Sequence, residues 1–317
     1  VILVYVDHQN GAVDPLSLQA VTFARSLGDN EIEAVVVGNR GSDTAPILAA
    51  HGVGLVHVAE HPGLTDYAPA AAARSVLQIL DSARPGTVLA AGSPRGNEVM
   101  AHVAAISDRP LATDCFTIKV GTPTEVTRAR WGGNLVEHAK LHSDVTLATT
   151  MQHVVQAEPA TTPGAGAIST FTPTLSDADL IVRVVDHADA GTGGASIAEA
   201  KVIVSGGRGV GSAEGFGPLE ELAKELGGVV GCSRVVTSEG WRPHTDQVGQ
   251  TGTKVAPDLY IACGISGATQ HIAGCKNSKM IVAINTDPEA PIMSHADYAI
   301  IGDLHQIVPA ITAALRS

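Results

Sequence analysis

Short runs of uninterrupted apolar residues recur along this chain, and the stretches between them carry apolar positions three and four apart. Val1 to Val6 is such a run, ending at Asp7, and Leu18, Val21, Phe23, Ala24 and Leu27 follow with the spacing of one helical face within 17–27. The alternation continues with a strand over 33–37, a helix over 44–50, a strand over 54–58, a helix over 67–82, a strand over 87–91 and a helix over 99–107. A strand that is apolar throughout needs cover on both faces, so this pattern predicts a parallel sheet with helices on either side. Residues 93–98 read as a strand-end loop where a ligand could sit. From 115 to 156 the pattern shifts to Thr- and Val-rich stretches broken by Gly121, Pro123 and Gly132-Gly133, which predicts antiparallel strands closing the first domain. Residues 157–173, rich in Thr, Pro, Gly and Ala, predict an extended connection more than a packed element.

Gly191, Gly193 and Gly194 stand among small residues in 186–200, and a fresh apolar run begins directly afterwards. The domain boundary is expected there, dividing the chain into 1–190 and 191–317. The second part again alternates: strand 202–205, helix 217–227, strands 229–231 and 259–263, helix 269–274, strands 280–285 and 298–301, helix 306–315. The expected fold class is α/β, with two doubly wound domains, the C-terminal one built on a parallel sheet.

Composition narrows the function. The 317 residues are 44% hydrophobic and 16% charged, which suits a folded core and argues against disorder. A formal charge of -12 repels phosphate backbones, so nucleic acid is not expected as a partner. Cys115, Cys232, Cys263 and Cys275 form no C-x-x-C pair, and reduced thiols fit a cytoplasmic protein best, or the mitochondrial matrix for a chain whose leader is gone. No run approaches the roughly 20 apolar residues a bilayer requires, so direct membrane insertion is not expected.

Polar and glycine-rich segments gather after the strands of the second half. Gly206 to Gly211 follows an apolar strand and contains Arg208, but its evenly spaced glycines miss the dinucleotide register, and a plain turn explains them equally well. Ser233 and Arg234 follow the next strand; a planar Arg stacks on a flat ring or pairs with phosphate, and a solvated surface Arg is the alternative. Gln247 to Gly252 clusters two amides and a hydroxyl with two glycines, suited to an edge of alternating carbonyls and nitrogens or to a surface turn. In Gly264 to His271 a buried strand ends in glycines, and Gln270 and His271 fall in the first turn of a helix. A His there stabilises negative charge on a reduced flavin, or merely packs. Asn285 and Asp303 also lie just after strand ends.

Taken together, the segments 247–252, 259–271, 281–292 and 296–298 resemble the FAD-binding region of electron-transfer flavoprotein alpha subunits, a resemblance that extends from about Lys201 to the end and more weakly over the first domain. It implies that Arg208 and Ser233 lie along the FAD phosphates and adjoining groups and that Arg234 covers one face of the isoalloxazine. Val248, Gly249, Gln250 and Thr251 would line its edge; Ser266, Gly267, Ala268, Thr269 and Gln270 would wrap the pyrophosphate and ribityl chain. His271 would face the flavin O2, Asn285 would hold phosphate or ribityl oxygens, and Asp303 with Leu304 would bracket the adenosine. It also implies a heterodimer with a beta subunit that holds AMP, a first domain serving as the platform against that subunit, and a hinge within 186–200. Such carriers move electrons from dehydrogenases such as the acyl-CoA dehydrogenases of fatty acid beta-oxidation to a membrane quinone oxidoreductase. Two rivals stay open: a nicotinamide-dependent dehydrogenase, and a ligand-sensing α/β module using the 93–98 loop. A metal site at His138 and His142 lacks the full motif, and none is expected.

Overall fold

The computed structural model of the protein describes residues 1–28, 30–133, 135–185 and 197–316. Its first unit spans 1–188. The elements run β1 (Ile2–Val6), β2 (His8–Gln9), β3 (Ala12–Val13), α1 (Pro15–Arg25), β4 (Ile32–Val37), α2 (Ala45–Ala50), β5 (Leu55–Ala59), α3 (Pro69–Ala83), β6 (Thr87–Ala91), α4 (Pro94–Ser107), β7 (Leu111–Lys119), β8 (Thr124–Arg130), β9 (Leu135–Leu141), β10 (Thr146–Thr150) and β11 (Ala167–Phe171). Nine of these strands form one sheet in the order β11-β5-β4-β1-β6-β10-β7-β8-β9. Successive side chains of a strand point to opposite faces. Ile2, Val4 and Val6 therefore pack with Leu18, Val21 and Phe23 of α1, while Leu3 and Tyr5 pack with Val76 and Ile79 of α3 and Val99 and Val103 of α4. Cover on both faces is why β1 is apolar throughout.

Three expectations for this unit are corrected. β10 is parallel to both β6 and β7, so only β7, β8 and β9 pair antiparallel in the 115–156 region. The segment read as a connection contains β11, which adds to β5 in parallel as an edge strand. The 93–98 segment is no loop: Ser93 caps α4, its Oγ accepting from the Gly96 N–H at 2.9 Å, and Pro94 begins the helix with its φ already suited to that position. His138 lies on β9 and His142 just beyond its end, and among the described residues no group of three or more His, Cys, Asp or Glu side chains is placed to hold a metal ion.

The second unit spans 189–317 and contains β12 (Val202–Gly206), α5 (Gly217–Glu225), β13 (Val229–Cys232), α6 (Arg234–Ser238), β14 (Leu259–Cys263), α7 (Thr269–Cys275), β15 (Ile281–Asn285), β16 (Tyr298–Ile301) and α8 (Leu304–Leu315). All five strands are parallel, in the order β13-β12-β14-β15-β16. Val204, Ile261 and Ile284 pack with Leu219 and Leu222 of α5 and Val308 of α8. On the other face Ile203, Tyr260 and Ala283 pack with Val248, Val255 and Ile272. Residues 186–196, most of the segment expected to hold the boundary and hinge, lie outside the described residues. Among the described residues no helix is long and apolar enough to cross a membrane.

Leu219 is fully buried in α5 against the sheet. Leu219→Ala leaves a cavity there, with an expected cost of about 2–5 kcal/mol, read as a lower urea midpoint at unchanged slope.

Candidate functional site

The sheet of the second unit changes direction between β12 and β14: the chain leaves β12 to one side for β13, then crosses to the other for β14. At such a point the loops leaving neighbouring strands open a crevice beyond the strand ends. Here the two loops run very close. The Gly207 N–H donates to the Cys263 carbonyl at 2.9 Å and the Gly209 N–H to the Gly264 carbonyl at 3.1 Å. A Cβ on Gly207 would fall 2.3 Å from that Gly264 oxygen, so a side chain there would drive the loops apart.

Around this junction the carboxyl ends of all five strands carry sequence-predicted residues. Arg208 opens a short 3-10 turn after β12 and is exposed. After β13, Ser233 precedes α6, and Arg234 begins it with an exposed side chain. After β14, Ser266, Ala268, Thr269 and Gln270 are exposed, while Gly267 is buried at φ +84 with no room for a Cβ, which would meet the Ile292 nitrogen at 2.3 Å. After β15, Asn285 is half-buried; its Nδ2 donates to the Ile265 carbonyl at 3.0 Å and its Oδ1 accepts from the Asp287 N–H at 3.1 Å. It thus fastens the neighbouring loop and keeps one amide hydrogen for another acceptor. After β16, the Asp303 carboxylate accepts from the His305 N–H at 2.9 Å at the start of α8, and Leu304 is buried against the β-sheet face shared with α5.

The loop 247–253 packs on the opposite face, against α7. Gln250 N–H donates to the Gln270 carbonyl at 2.7 Å, and Gly274 approaches Gly249 so closely that a Cβ on Gly274 would lie 2.3 Å from the Gly249 nitrogen. Val248 and Gly249 are buried, whereas Gln250 and Thr251 are exposed. Gln247, counted from sequence in the polar cluster but given no contact of its own with the FAD, is the anchor: its Oε1 accepts from the Thr237 hydroxyl at 2.7 Å and its Nε2 donates to the Thr251 hydroxyl oxygen at 3.1 Å. A Gln at the head of a polar loop was the available signal.

His271 projects from α7 into the interior and is 7% exposed. Its Nε2 lies 2.9 Å from the hydroxyl of Tyr260, a fully buried residue that sequence reasoning left out. Its Nδ1 is buried without a partner of hydrogen-bond geometry. Burial pushes the ring pKa down to about 4, with the Val248 backbone acting in the opposite sense, so the imidazole is neutral near pH 7. Its contribution to a ligand is therefore a hydrogen bond and not a positive charge. Burial also pushes the Cys232, Cys263 and Cys275 thiols up to about 12, which keeps them protonated and unreactive.

The first unit has a cavity of about 250 Å³ beyond β1 and β4, lined among others by Asp7, Tyr67 and Arg95. These groups satisfy one another: Arg95 lies 3.5 Å from Asp7 and 4.6 Å over the Tyr67 ring, and the Tyr67 hydroxyl donates to Glu98 at 2.8 Å.

The second unit is thus a doubly wound sheet of the flavodoxin-like strand order, with glycine loops and polar side chains beyond the carboxyl ends of its strands and one buried neutral His on α7. Comparison with known proteins extends this. Residues 196–276 match the model of the electron transfer flavoprotein FAD-binding domain, and residues 2–176 match that of the electron transfer flavoprotein domain. Electron transfer flavoprotein subunit alpha of Bacillus subtilis is 36% identical over 99% of this chain and 97% of its own length. The subunit alpha of Mycobacterium tuberculosis is 39% identical over the whole chain and 98% of its own length, and protein FixB of Clostridium saccharobutylicum is 35% identical over 99% and 95%. The chain belongs to the family of electron transfer flavoprotein alpha subunits.

Two outcomes follow from the geometry. Gly274→Ala places a methyl group on the Gly249 backbone and is expected to destabilise the protein by about 1–3 kcal/mol, whereas Gly217→Ala, in open space at the start of α5, is expected to change stability little; thermal unfolding of the pair checks this. His271 titrates near 6.5 in the unfolded chain and about 4 in the folded one, so the unfolded state binds more protons between those values. Its contribution to stability is complete above about pH 6.5 and is lost as pH falls to about 4, by up to about 3 kcal/mol. His271→Gln should flatten the stability profile across that window in urea titrations.

Proposed function

We propose that this chain holds FAD at the carboxyl end of the second unit's sheet and carries electrons within a heterodimer. Electrons enter from dehydrogenases such as acyl-CoA dehydrogenases and leave to a membrane quinone oxidoreductase. The observation that carries the reading is the buried, unpartnered Nδ1 of His271 beside the 247–253 loop, because a buried polar group without a partner is costly and a bound acceptor supplies one. The glycine at 267 supports it as well, since it has no room for a Cβ and leaves the backbone bare of a side chain in the loop after β14.

On this reading the residues divide their work by exposure. Arg208, Ser233, Ser266 and the 267–270 backbone hold the pyrophosphate and adjoining groups, with Asn285 contributing its remaining amide hydrogen. Arg234, planar and exposed, covers one face of the ring system. Val248, Gly249, Gln250 and Thr251 form its edge, and Gln247 keeps the Thr251 hydroxyl oriented. Asp303 and Leu304 bracket the adenosine. His271 offers a neutral hydrogen bond to the pyrimidine edge. Bound FAD supplies the redox chemistry, which no side chain of the site provides, and the protein contributes orientation and electrostatics. The first unit would act as the platform against a beta subunit that holds AMP. The name "subunit alpha" borne by the relatives supports a partner chain.

The first test is the visible absorption spectrum of the chain purified with its neighbouring beta-type subunit, recorded before and after addition of a reduced acyl-CoA dehydrogenase. A flavin spectrum that bleaches is expected; a colourless protein that cannot be reconstituted with FAD overturns the reading. His271→Ala should keep FAD yet lower its reduction potential in a redox titration, because the hydrogen bond favouring the reduced, more negative ring is gone.

A further inference from the structure

The partners of the His271 ring determine where its single proton resides. Tyr260 stands in the middle of the sheet on β14, fully buried, and burial pushes its phenol well above 10, so it stays protonated at any working pH. A buried phenol must place that proton on an acceptor. The ring nitrogen Nε2 of His271 lies 2.9 Å away. The Ser205 hydroxyl of β12, on the same face, is also buried and acts on the phenol in the sense of a donor, which leaves the phenolic proton to His271. A neutral imidazole that accepts at Nε2 carries its proton at Nδ1.

We propose that Tyr260 is a positioning residue for the flavin: its phenol donates to His271 Nε2, fixing the tautomer in which Nδ1 carries the proton and presents an N–H to a carbonyl acceptor on the bound isoalloxazine. This rests on the functional reading above and adds the residue that makes His271 a donor. Without the phenol, the ring is free to turn its lone pair toward the ligand, and the same side chain would then repel the oxygen it is meant to hold.

The test uses the full chain with FAD and its partner subunit, labelled with ¹⁵N at histidine. Long-range ¹⁵N–¹H spectra near pH 7 should show His271 protonated at Nδ1 and bare at Nε2. In Tyr260→Phe that preference should be lost, FAD should bind on the order of tenfold more weakly, and the flavin reduction potential should fall. Wild-type protein with FAD bound and Nε2 protonated overturns the proposal without any variant, as does a folded Tyr260→Phe protein with unchanged tautomer and potential. A wild-type chain that takes up no FAD overturns the functional reading instead, and its colour separates that failure from the other two.

Discussion

A parallel sheet covered by helices on both faces leaves only the ends of its strands open to a ligand, and the second unit depends on that constraint. The apolar faces of its five strands are taken up by α5 and α8 on one side and by α7 and the 247–257 segment on the other. The polar groups proposed to meet a cofactor therefore lie in the loops beyond the strand ends, at the starts of the helices that follow them, and on the 247–253 loop beside α7. The change of direction between β12 and β14 brings two glycine loops together at the centre of that edge, and the backbone contacts of Gly207 and Gly209 with the β14 loop hold them there. The first unit obeys the same constraint with another result: Asp7, Arg95, Tyr67 and Glu98, beside its own strand ends, pair with each other.

His271 shows how burial selects among chemical roles. A histidine at a helix start near a flavin invites a picture of positive charge stabilising a reduced ring. Desolvation removes that option by holding the ring neutral, and in the proposed arrangement leaves a directional hydrogen bond whose sense Tyr260 would set. The effect on a bound ring then depends on geometry more than on pH over the physiological range. The three thiols of the same unit are silenced by the same desolvation.

Much of the fold was legible in local pattern because parallel strands buried on both faces are apolar throughout, as in β1, or nearly so, as in β4 and β6 with Glu33 and Thr87 near their starts. What could not be read was pairing at long range. Thr146–Thr150 is wholly buried, yet its threonines resemble those of the antiparallel hairpins before it; only its place between β6 and β7 makes it a central parallel strand. β11 is exposed along most of its length and held to β5 alone, so no apolar signal marked it. The start of α4 was legible and missed, since Ser93 followed by Pro94 is a capping pattern. In the site, the glycines and polar loops could be found by spacing, whereas Gln247 and Tyr260 acquire their roles from contacts with residues ten and eleven positions away on other elements.

The approach of Gly274 to Gly249 has a consequence of a different kind. Where two elements meet through side chains, their separation varies with rotamer and with every substitution at the contact. Where they meet backbone to backbone, the stop has no rotamers to lose or to exchange. The position of the 247–253 loop is therefore referenced to the axis of α7 itself, and exchanging the side chains around the contact leaves the spacing between loop and helix a fixed dimension of this chain.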